Sequence, residues 1–194
     1  KVQKFFTNTL IITEFKDSPL FMIAKANGCL LLEHHKDIGG RYSIFSNVGL
    51  VPAIISGLNI DELYSGAAEV INNISSYSPN DLGRYLNNKK NLHFTNNILM
   101  TYSDSLYFYG KWYLQLWAES IGKENKGITA IHSVGTTDQH SQLQLYLDGP
   151  RDKYFTFITT DHSNKGMKIN DQIFKNTNID YFKDKKMGDL MHAE

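Results

Sequence analysis

Ile98-Leu99-Met100-Thr101-Tyr102, then a helical pattern from Leu106 to Glu119 closed by Gly122 and Lys123, then Ile128 to Ile131, form the stretch that decides the fold. The outer pieces are apolar runs of strand length, and the middle one is long enough for a helix. Ser103 or Asp104 stands where a cap is needed, and glycine with lysine suits the far end. Strand, helix, strand in that order predicts a parallel pair joined by a right-handed crossover.

Working outward, the same grammar recurs. Thr9 to Thr13 is a β-branched run, Pro19 opens an apolar-periodic segment reaching Ala26 with Gly28 beyond it, and Cys29 to Leu32 is a second buried strand. Val48 to Ile55 is apolar almost throughout and stops before Gly57. Asp61 is placed to cap a further helix with Leu63, Ala67, Val70 and Ile71 on one face. Residues 72–97 are polar, with Pro79, Asn80 and Asp81 marking another helix start. On the other side, Thr137 or Asp138 caps a helix that turns Leu143, Tyr146 and Leu147 to one side and ends at Gly149-Pro150. Tyr154 to Thr159 is the last clear strand. After Thr160 the chain reads as a connector until a helical pattern at Met187, Leu190 and Met191. The fold class predicted is α/β with a largely parallel sheet.

A chain of 194 residues with 41% hydrophobic residues can bury a core. Lys and Arg number 20, as do Asp and Glu, so no net field favours nucleic acid or an anionic membrane. An anionic substrate therefore needs local groups. The single cysteine, Cys29, excludes an intrachain disulfide and a multi-cysteine metal site, which suits a reducing, cytoplasmic setting. The longest apolar runs, such as Leu10 to Ile12, are too short to span a bilayer. The start at Lys1, without Met or a leader, reads as an internal cut in a longer protein.

Two ionisable residues stand at helix ends beside glycine and hydroxyl residues. Glu119 closes an aromatic and aliphatic segment, a setting that raises a carboxylate pKa and makes it usable as a base. A terminal Glu is ordinarily a solvated side chain, but the C-terminal end of a helix is electrostatically the wrong end for it. Gln115 lies four residues earlier, on the same face. His140 falls in the first turn of the next helix, where unpaired amides and the dipole disfavour the charged ring. The alternative for His140 is a surface histidine, one of seven. Arg41 follows Gly39 and Gly40, a pair that marks either a corner or a close approach to a ligand. His34-His35 has no helix-spaced partners, and no HExxH, GxGxxG or phosphate-loop motif occurs, so neither a metal nor a nucleotide cofactor is expected.

Gly39-Gly40-Arg41-Tyr42-Ser43 through Gly49-Leu50, Trp117-Ala118-Glu119-Ser120-Ile121-Gly122-Lys123 and Gly135-Thr136-Thr137-Asp138-Gln139-His140-Ser141 closely resemble three successive signatures of the phosphoglucose isomerase family. Their order and approximate spacing match, and the resemblance runs from about Thr9 to the end, including Met187-Gly188-Asp189-Leu190-Met191. It implies three-layer α/β/α sugar-isomerase subdomains, with residues 1–45 the tail of the first and 46–194 the second plus the start of a C-terminal region. It also implies a cytoplasmic homodimer or larger assembly that interconverts glucose 6-phosphate and fructose 6-phosphate without cofactor or metal. By this resemblance Glu119 moves the proton between C2 and C1 through an enediolate, and Arg41 stabilises its charge. His140 opens the sugar ring from the neighbouring subunit, while Gln115 and Gly40 contact the substrate.

The family's glycine- and serine-rich phosphate segments would precede Thr9, and its C-terminal lysine would follow Glu194, so the resemblance implies a partial chain. A competing reading is a noncatalytic sugar-phosphate sensor of the same fold. Such a sensor needs no base at C2, and Glu119, Arg41 and His140 together argue against it. A transaldolase-like or aminotransferring relative would want a Schiff-base lysine or an amide-handling site, and Lys123 is poorly placed for that role.

Overall fold

The computed structural model describes residues 2–76, 79–88 and 93–193; Lys1, Glu194 and residues 77–78 and 89–92 of the polar stretch lie outside them. The chain divides into two units, Lys1–Leu82 and Gly83–Glu194.

In the first unit, helix α1 (Val2–Thr7) leads into strand β1 (Leu10–Thr13), helix α2 (Pro19–Ala26) and strand β2 (Leu30–Glu33). The strands pair in parallel, as the sequence predicts, with Leu10 opposite Leu30. Ser18 caps α2 by accepting from the Phe21 N–H, Pro19 fills the first helical position, and Gly28 takes φ +66° beyond the end. Phe21 and Ala24 form its buried face.

Next comes a 3-10 helix (Gly40–Phe45), then α3 (Asn47–Ile55) and α4 (Ile60–Asn72). The Asn47 amide donates to the Glu33 carbonyl at 2.8 Å, fastening α3 to the end of β2. Asn59 rather than Asp61 caps α4: its Oδ1 accepts from the N–H groups of Asp61 and Glu62. An amide two residues earlier reaches those first-turn donors, so Asp61 falls inside the turn. Leu63 and Ala67 are half-buried, while Val70 and Ile71 remain exposed. Helix α5 (Pro79–Leu86) starts where Pro79 marks it.

The second unit is built on a three-stranded sheet. Strand β3 (Asn96–Tyr102) passes through a 3-10 turn at Asp104–Leu106 into helix α6 (Tyr107–Ile121), then into β4 (Thr129–Val134), α7 (Thr137–Asp148) and β5 (Lys153–Thr159). The strand order is β4-β3-β5 with every pairing parallel. Ile98, Leu99 and Met100 of the central strand form the core. A further 3-10 turn (Asp171–Phe174) and α8 (Met187–Ala193) follow.

The layering follows from two adjacent residues of β4. The His132 ring lies against Gly110 of α6, whereas the Ser133 hydroxyl bonds Tyr146 Oη of α7 at 2.7 Å. Successive strand residues point to opposite faces, so α6 and α7 cover opposite faces and the unit is an α/β/α sandwich. Chain direction requires this: β3 to β4 moves one way across the sheet and β4 to β5 moves back, so two right-handed crossovers lie on opposite sides.

In the second unit, two further helix starts differ from expectation. Neither Ser103 nor Asp104 caps α6, whose cap position is Leu106 without a side-chain bond, because the intervening 3-10 turn displaces the start. Helix α7 has Thr136 at its cap with φ +61° and no side-chain cap. Asp138 is turned back instead, accepting from the Val134 N–H at 2.6 Å.

Candidate active site

Glu119 lies in the last turn of α6, followed by Gly122, whose N–H bonds the Ala118 carbonyl. The Gln115 amide donates to Glu119 Oε1 at 3.0 Å, so the two functional groups meet on one face, as their spacing predicts. Both are exposed. The apolar enclosure expected around Glu119 is on the other side of the helix. Tyr113 and Trp117 face the sheet, stacked at 5.7 Å, and Trp117 Nε1 donates to the Ile128 carbonyl at 2.8 Å. Residues two apart on a helix do not share a face, so aromatic neighbours in sequence do not surround the carboxylate.

That tryptophan bond also sets the level of Glu119. Ile128 immediately precedes β4, so the end of α6 lies at the amino edge of the sheet, while Gly110 near its start meets His132 close to the carboxyl edge.

His140 is exposed in the first turn of α7, its N–H bonded to the Thr136 carbonyl at 3.2 Å. The Asp138–Val134 bond places this turn at the carboxyl edge. Val134 is six residues beyond Ile128 along the strand, roughly 20 Å of rise, and the two helices are on opposite faces. Within one chain, Gln115 and Glu119 are brought together and His140 is not brought to them.

Arg41 and Gly40 belong to the first unit, in the 3-10 helix. The guanidinium carbon of Arg41 lies 4.5 Å from the centroid of the Tyr42 ring. Gly39 has φ −64°, and Gly40 is not among the residues with positive φ, so the turn does not use glycine's freedom there. A Cβ on Gly40 would meet nothing within 4 Å, so packing within the chain does not explain this glycine.

The sequence reading missed the buried polar groups of the second unit. Asn97, Thr101 and Ser133 are buried on its strands. Asn97 donates to Tyr113 Oη at 2.7 Å, and its own Oδ1 has no partner. Thr101 Oγ1 and His132 Nε2 are 2.9 Å apart. Burial, aided by Lys111, holds the His132 pKa below its ordinary value, against the weaker pull of Asp138. The available signal was Asn97, Thr101, His132 and Ser133 interrupting strands that are otherwise largely apolar. Two clefts also occur in this unit. One, of about 580 Å³, lies where β3 and β5 end, between Tyr102, Thr159, His162 and Met191. The other, of about 300 Å³, is lined by His93, Tyr146, Arg151 and Lys153. Neither includes Glu119 or His140. Among the described residues, no group of three or more His, Cys, Asp and Glu is gathered as a metal site would need.

No family model matches the chain. It is similar to the glucose-6-phosphate isomerase of Rubrobacter xylanophilus, with 34% identity over 191 residues, 96% of this chain and 44% of that protein. The chain belongs to the glucose-6-phosphate isomerase family. The glucose-6-phosphate isomerase of Mesomycoplasma hyopneumoniae strain J is 32% identical over 190 residues, 95% of this chain and again 44% of the relative. The crystal structure of a hypothetical protein from Thermus thermophilus superposes with a TM-score of 0.82 at 27% identity, covering 98% of this chain and 48% of that one. The chain thus spans less than half the length of these isomerase relatives.

Among the described residues, no helix is long and apolar enough to cross a membrane.

Proposed function

We propose that this chain carries part of the active site of a cytoplasmic glucose-6-phosphate isomerase, which interconverts glucose 6-phosphate and fructose 6-phosphate by moving a proton between C2 and C1. Glu119 takes the proton from C2 of the opened sugar and returns it to C1 of the enediolate. A carboxylate is suited to this shuttling because it can accept and release the proton without any other bond changing. Gln115, bonded to it, is placed to contact the sugar beside the base, and Gly40 leaves room next to Arg41. The guanidinium stabilises the negative charge that develops on the enediolate oxygens, where an aligned cation contributes several kcal/mol. The step is a proton transfer with no change of overall oxidation state, so the chemistry calls for no redox group or metal.

His140 assists ring opening by proton transfer at the ring oxygen. The observation that carries the reading is the placement of Glu119 and His140 at opposite edges and on opposite faces of one sheet. A hexose phosphate cannot span that separation, so a site needing both draws them from two copies. This supports a homodimer in which each subunit lends its His140 to its partner's Glu119. Balanced charge gives no support for nucleic acid or a membrane surface as a partner.

The test is Glu119→Gln in the full-length enzyme, since the amide keeps the shape but cannot take up the proton. Exchange of the C2 proton with solvent deuterium is expected to disappear while substrate affinity stays within a few-fold of wild type. Persisting exchange would remove Glu119 from the role of base.

A further inference from the structure

The last turn of a helix is the part most prone to fray, because its carbonyls have no partners further along. Glu119 lies there, two residues before the helix ends. A base must nevertheless be held within a fraction of an ångström of its target. The restraint visible on this turn is a line of side chains on the opposite face of α6. Asn97, buried near the start of the central strand, donates to Tyr113 Oη at 2.7 Å. Tyr113 stacks on Trp117, and the indole N–H of Trp117 donates to the Ile128 carbonyl at 2.8 Å. The helix end is thereby tied to β3 through Asn97 and to the entry of β4 through Ile128.

We infer that Trp117 is a positioning residue that holds the Glu119 carboxylate in register by fastening the last turn of α6 to the start of β4. The inference rests on the reading of Glu119 as the base. Trp117 faces the sheet and Glu119 faces away from it, so the indole does not touch the sugar and acts only through the turn the two residues share.

The experiment replaces Trp117 in the full-length enzyme with β-(3-benzothienyl)alanine, which keeps the indole's shape and has sulfur where the N–H was. Trp117→Phe serves as a second variant. kcat per folded site is expected to fall about tenfold, with KM for fructose 6-phosphate within about twofold and C2 proton exchange falling in step with kcat. In a Glu119→Gln background the same replacement should leave substrate affinity within about twofold, because Trp117 acts on the base and not on binding. An unchanged kcat per folded site, beside an inactive Glu119→Gln, overturns the role of Trp117 and leaves the base intact. A loss that appears as a raised KM with kcat unchanged overturns it as well, by showing that Trp117 serves binding and not the base. Wild-type exchange in Glu119→Gln overturns both.

Discussion

Gly110 packs against the imidazole of His132 so closely that any Cβ at position 110 would fall well inside van der Waals contact with the ring. The ring has little room to move, because Thr101 Oγ1 is 2.9 Å from its Nε2 and Tyr107 lies 5.6 Å away, centroid to centroid. This contact sets how closely α6 approaches β4.

Gly110→Ala is therefore expected to destabilise the protein. In an open helix the change would gain about 1 kcal/mol from propensity. Here overpacking should outweigh that gain, leaving a net loss of about 1–3 kcal/mol. Thermal denaturation checks the sign, and a variant melting above wild type would mean that the helix can back away from the strand freely.

Burial of His132 makes stability depend on pH. With its folded-state pKa held below the ordinary value of about 6.5, the unfolded chain binds a proton that the folded ring refuses. The contribution is fully present above about pH 7 and is lost as pH falls through about 6.5 toward the folded value. Asp152, Asp161, Asp184 and Asp189, whose pKa values hydrogen bonds hold below the ordinary carboxylate value, matter only below about pH 5 and leave this window clear. Melting temperatures from about pH 7.5 to about pH 5.5 should fall less steeply in His132→Gln than in wild type. Parallel slopes would remove His132 as the source.

The strands and crossovers were legible in the sequence because apolar runs of strand length alternated with helical periods, and glycine or proline marked their ends. The parallel pairing of β1 with β2 and of β3 with β4 follows from that alternation, whereas the register and the place of β5 beside β3 do not. Caps were less legible, since several residues near each start have cap chemistry: Asn59 took the place assigned to Asp61, and Thr136 that of Thr137 or Asp138. At the site, spacing alone gave the Gln115–Glu119 pair. It did not give Glu119's surroundings, because Tyr113 and Trp117 share a helix with it and not a face. Nor could linear order show that Glu119 and His140, on successive crossovers, stand at opposite edges of the sheet. Arg41 stands out only through the family motif, since its glycines adopt ordinary backbone angles.

His140→Ala is expected to lower activity on the cyclic substrate more than on a sugar supplied in open form. Ring opening requires proton transfer to the ring oxygen, while enediolate formation draws on Glu119 and Arg41 in either case. Stopped-flow comparison of the two forms reads the difference, and equal losses would take His140 out of ring opening.

A complete site that combines Glu119 of one copy with His140 of another is tested most directly by mixing full-length Glu119→Gln and His140→Ala subunits. Each parent dimer lacks one group at both sites, whereas a hybrid has one site with both groups intact. Activity is expected to rise well above either parent as hybrids form, with their fraction measured by native mass spectrometry. Hybrids present in quantity without any gain in activity would contradict the shared site and would put Glu119 and His140 to work within the same subunit.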